Sequence, residues 1–108
     1  MFKIDNSNKI TMVRGDTAVF TLTLKDYVLS DGDQVKFTVK RNPNESKAYI
    51  TKTITEFTDG KAIITLTESD TKSMDDGDYL YEVECRLQGG VVDTVITSTK
   101  FVLIADLG

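Results

Sequence analysis

The sequence has 108 residues, a formal net charge of −4, one cysteine and no histidine. That length makes one domain, residues 1–108, with room for its own core. The acidic balance opposes binding to nucleic acid or an anionic membrane, because both need a clustered basic face.

Threonine, valine, isoleucine, tyrosine and phenylalanine are plentiful and proline occurs once, so mostly β structure is expected. Met1 to Asn8 reads as a lead-in with a turn at Asn6-Ser7-Asn8. It has no apolar core of a signal peptide, so export by that route is not expected. Lys9 to Arg14 is a first strand, and Gly15-Asp16 turns the chain. Thr17 to Leu24 alternates, with Ala18, Phe20, Leu22 and Leu24 inward. In the loop that follows, Tyr27, Val28 and Leu29 are expected to fold over one end of the core, before the turn Ser30-Asp31-Gly32-Asp33.

Gln34 to Arg41 points Val35, Phe37 and Val39 inward. Pro43 ends that strand, since proline has no ladder donor. Ala48 to Phe57 places Lys52 between Ile50 and Ile54 on one face. An inward-leaning charge is a device of sheet edges, so this strand belongs at an edge. Thr58-Asp59-Gly60-Lys61 reads as a hairpin turn into a strand carrying Ala62, Ile64 and Leu66. Thr67 with Asp70 resembles a capping box, which predicts one short helical turn anchored by Met74.

Asp75-Asp76-Gly77-Asp78 then opens the longest alternating run, with Tyr79, Tyr81, Val83, Cys85 and Leu87 on one face. Its length suits a central strand. Gly89-Gly90 is a two-residue hairpin signal, and Val91 to Ile104 returns. Val92 and Ile96 share one parity, while Phe101 and Leu103 take the other, so a bulge or change of partner is expected near Thr99. About seven antiparallel strands at regular turn intervals predict a two-sheet sandwich with Greek-key connections.

Candidate chemistry is sparse. Without histidine, Ser-His and Cys-His pairs cannot form within one chain. Cys85 is the only cysteine, so it forms no internal disulfide, and on an apolar face it reads as a small hydrophobe. Asp31 with Asp33, or Asp75, Asp76 and Asp78, would be the carboxylates of a glycosidase-like site or a calcium site. They fall in turns, where aspartate is favoured for backbone reasons. One cysteine and no histidine fall short of a zinc set. Arg14-Gly15-Asp16 matches a short adhesion motif, yet a Gly-Asp turn accounts for it. Lys36, Lys40 and Arg41 read as a solvated face. No catalytic, cofactor or metal residue is assigned, and an enzyme is not expected.

Two resemblances add to this reading. Asp75-x-Gly77-x-Tyr79-x-Tyr81 resembles the start of strand F in immunoglobulin-like domains. That likeness implies a tyrosine corner at Tyr79, with Tyr81 standing where such domains carry a disulfide cysteine. The broader likeness runs through Ile10-Thr11-x-x-Arg14-Gly15-Asp16-Thr17, Gly32-Asp33-x-Val35-x-Phe37-Thr38-Val39-Lys40 and Gly77-Asp78-Tyr79-x-Tyr81-Glu82-Val83. It is similar to small phage and prophage proteins of Gram-positive bacteria and to the amino-terminal domain of the phage baseplate upper protein. The resemblance implies an immunoglobulin-like module, built into the virion after assembly in the host cytoplasm, that docks onto tail or baseplate proteins. Homo-oligomerisation is compatible with such a role. The other reading is a bacterial surface or secreted immunoglobulin-like adhesion module.

Overall fold

Period-two alternation decides which side chains meet. In a computed structural model covering Met1–Gly108 it yields eight strands and one short helix, an all-β protein. The strands are β1 (Phe2–Ile4), β2 (Ile10–Val13), β3 (Ala18–Leu22), β4 (Gln34–Lys40), β5 (Ile50–Ile54), β6 (Ala62–Leu66), β7 (Gly77–Leu87) and β8 (Val91–Ile104); the helix α1 (Glu68–Thr71) lies between β6 and β7.

One sheet has the order β1-β2-β8-β7-β4-β5, and β3 pairs with β6 in a second sheet. Every pairing is antiparallel except β2 with β8, where Ile10 faces Phe101 and Val13 faces Ile104 in parallel. The large sheet is therefore mixed, which corrects the uniformly antiparallel expectation. The strand count also rises, because Phe2–Ile4 is a strand and not a lead-in. Three residues carry too little alternation to stand out. What orders them is tertiary: Phe2 faces Met12 across β1 and β2, and its ring stacks on Phe20 with centroids 5.2 Å apart.

The core lies between the sheets. Phe37 faces Val83 and Val39 faces Tyr81 across β4 and β7, and all four are buried. Ala18, Ala62, Ile64 and Leu66 close the core from the small sheet. Phe37 joins the layers, its centroid 5.6 Å from that of Phe20 and 5.4 Å from that of Tyr81. Burial of each such side chain contributes about 1.5–3 kcal/mol.

The Asp59-Gly60 turn has the expected geometry. Both residues have positive φ, 51° and 75°, and Thr58 and Lys61 exchange two 3.0 Å backbone bonds. The strands it joins do not pair, however. β5 stays with β4 and β6 goes to β3, so the turn is a corner between sheets and not a hairpin. A side chain on Gly60 would meet Val28, whose Cγ1 lies 2.6 Å from the place of the missing Cβ. Val28 thus caps the corner while 74% exposed, and Leu29 alone of the expected apolar trio is fully buried.

β5 is an edge strand, as its lysine implies. Lys52 reaches Asp70 of α1 at 2.8 Å. The same Asp70 Oδ2 accepts the Thr67 backbone N–H at 2.7 Å and its hydroxyl at 3.1 Å. Aspartate thereby takes the place that glutamate holds in the usual capping box.

Candidate functional site

The turn before β7 is corner chemistry. Gly77 takes φ 131°, a region that disfavours side chains. Tyr79 then enters the core, and its hydroxyl donates to the Asp75 carbonyl at 2.7 Å. The guanidinium of Arg41 lies 4.4 Å from the Tyr79 ring centroid. Tyr81 is equally buried, and its hydroxyl donates to the carbonyl of Asn8. Burial pushes the Tyr81 phenol up to about 12. Asp76 and Asp78 stay exposed, and no three acidic or cysteine side chains converge in a geometry that could hold a metal.

Asp31 and Asp33 are not a pair. Asp31 is exposed, whereas Asp33 is 2% exposed. The Asp33 carboxylate accepts the Tyr27 hydroxyl at 2.9 and 3.0 Å, Ser30 N–H at 3.0 Å and Gln88 N–H at 2.9 Å. Burial alone would raise its pKa, but these donors together hold it below the usual carboxylate range. Its work is to clamp the β3–β4 loop to the β7–β8 turn. That turn has three residues, Gln88 to Gly90, because Leu87 faces Val91. Gln88 joins the two glycines because Asp33 engages its N–H.

Cys85 is fully buried, and burial, with the charges of Asp93, Asp33 and Glu84 behind it, pushes its thiol up to about 11. Such a thiol is a poor nucleophile at neutral pH. In Arg14-Gly15-Asp16, Arg14 donates to Asp106 at 2.9 and 3.1 Å and to the Met74 carbonyl at 3.1 Å. Gly15 N–H donates to Thr71 Oγ1 at 2.8 Å, and Asp16 accepts from the amino group of Met1. The tripeptide fastens the two ends of the chain and α1 together.

The most distinctive surface belongs to β8. Its pairing with β7 slips on either side of Val83: Tyr81 faces Thr99, Val83 faces Ile96 and Glu84 faces Thr94. β8 thus carries bulged residues at Thr97–Ser98 and at Val95, where its alternation fails in sequence. β2 covers the far edge of β8 only from Phe101 to Ile104. From Val91 to Lys100 no strand pairs with that edge. Val91 and Val92 are 55% and 52% exposed. An open groove of about 730 Å³ runs beside this edge, with Leu22, Leu24, Tyr27, Leu87, Val95 and Ile96 as its apolar lining. The faltering alternation was the one sequence signal of this edge. Its lack of a partner could not be read from β8 alone, because it depends on where β2 ends.

No family model matches the chain, and no curated protein matches it. No helix is long and apolar enough to cross a membrane.

Proposed function

We propose that the chain is a non-enzymatic virion structural protein, a docking module of a phage or prophage tail or baseplate. It works through protein–protein contacts and folds as an immunoglobulin-like sandwich. In that architecture β3 and β6 correspond to strands B and E, and β4, β7 and β8 to C, F and G, with β5 beside C. The chain passes between the sheets at β2–β3, β3–β4, β5–β6 and β6–β7, which suits Greek-key winding. The Tyr79–Asp75 bond supports a tyrosine corner at the start of strand F. The parallel β2 is a departure from the seven-stranded antiparallel pattern.

The observation that carries the docking role is the unpaired edge of β8 beside a groove whose lining mixes apolar and polar side chains. A strand edge offers unmet backbone donors and acceptors, and the apolar strip beside it offers burial; together they suit another polypeptide. The motif order from Ile10 to Val83 supports a tail or baseplate neighbour as that polypeptide. The module would assemble into the virion within the host cytoplasm. Immunogold labelling of induced particles tests this: label should gather at the tail end, and label confined to unassembled protein would reject it.

A further inference from the structure

The free part of β8 lies in line with a strand that already pairs with it. β2 occupies the β8 edge from Phe101 to Ile104 and runs parallel to it. Upstream, Asn8 takes φ 67° and turns the chain away toward β1, so β2 starts only at Ile10. The bond from the Tyr81 hydroxyl to the Asn8 carbonyl fixes that departure. The groove reaches Asn8 and continues past Leu22 and Leu24 to Asp93 and Thr94. It therefore takes in Asn8, just before β2, and Asp93 to Ile96 within the part of β8 that β2 leaves bare.

We infer that this edge binds an extended segment of a partner polypeptide, added as a strand in line with β2. Its main chain would pair with β8 between Val91 and Ile96, and every second side chain, apolar, would sit over Leu22 and Leu24. A row of backbone groups is satisfied in register only by another extended backbone, which is why the occupant is a strand and not a helix or a small molecule. A second copy of this chain fits less well. Symmetric pairing of the Val91–Ile96 stretches of two copies would set Asp93 beside Asp93, and like charges that face each other across strands are destabilising. This inference rests on the docking role proposed above and names the form of the contact.

The probe is a displayed library of random octapeptides, panned against the 108-residue chain and followed by titration of synthetic peptides. Captured peptides should alternate apolar and polar residues and slow amide exchange at Val92 to Ile96. Leu24→Lys should weaken them at least about tenfold, roughly the loss of one well-packed contact. Val19→Lys, on the outer face of β3, should leave binding unchanged. A peptide N-methylated at alternate residues keeps its side chains but loses main-chain donors, and its affinity should fall by a similar factor. That comparison holds even if Leu24→Lys fails to fold. Equal binding of the methylated peptide, protection elsewhere, absence of any captured peptide, or protection of the same amides by self-association would each overturn the inference. Peptide capture by a protein absent from virions would keep the strand-binding edge and remove the virion role. Presence in virions without strand capture would do the reverse.

Discussion

The hydroxyl of Tyr79 donates a 2.7 Å hydrogen bond to the carbonyl of Asp75, four residues back. The ring is buried, so the bond ties the acidic turn to the start of the central strand. Tyr79→Phe keeps the ring and removes the bond. It should cost about 1 kcal/mol, and lower the melting temperature by about 4–8 °C. Calorimetry that finds no change would remove the corner from the account.

Lys52 and Asp70 join the β5 edge to α1 through a 2.8 Å ion pair. Asp70→Asn weakens both this pair and the Thr67 cap and should cost about 1 kcal/mol. Lys52→Met leaves the cap intact and should cost less. A double-mutant cycle by urea unfolding should give a coupling of about 0.2–1 kcal/mol.

Acid should unfold the protein through its engaged carboxylates. Asp33 is held below the usual range because the donors around it outweigh the effect of burial. Asp106 is held down chiefly by its hydrogen bonds from Arg14. A carboxylate whose folded pKa is depressed stabilises the fold above its unfolded value and loses that contribution as pH falls through the folded value. Urea midpoints should therefore be flat near neutrality and drop below about pH 4, the unfolded aspartate value. Asp33→Asn should lower the neutral midpoint and flatten the acid limb. An unchanged limb would show that Asp33 does not carry it.

The alkaline side has the opposite sign. Burial raises Cys85 to about 11 and Tyr81 to about 12. Such groups favour the fold below their unfolded values, about 8.5 and 10, and that stability is lost as pH rises through the folded ones. Stability should fall from about pH 9 upward, and Cys85→Val should remove the earlier part of the fall. A disulfide exchange reagent at pH 8 should label Cys85 only at the rate of unfolding. Fast labelling of the native protein would show that the thiol is accessible.

Where burial follows strict alternation, the strand could be read from sequence: Val35, Phe37 and Val39, or Tyr79 to Cys85, each state which face is covered. Turn chemistry was legible too, since Asp59-Gly60 needs only local φ angles. Partner choice was not. The same turn serves a hairpin or a corner, and what decides is that β5 finds β4 while β6 finds β3. Lys52 marked an edge, yet its partner Asp70 comes from another element. Val28 looked like core and instead covers Gly60, a contact that sequence distance hides. The unpaired edge of β8 is hardest of all to foresee, because it is defined by the absence of a neighbour beside Val91 to Lys100.

The docking role itself is tested most directly by mass spectrometry of purified particles released by prophage induction in a host that encodes the chain. The protein should co-purify with tail proteins at a fixed stoichiometry that survives a density gradient. Intact, fully tailed particles that lack it would contradict the account.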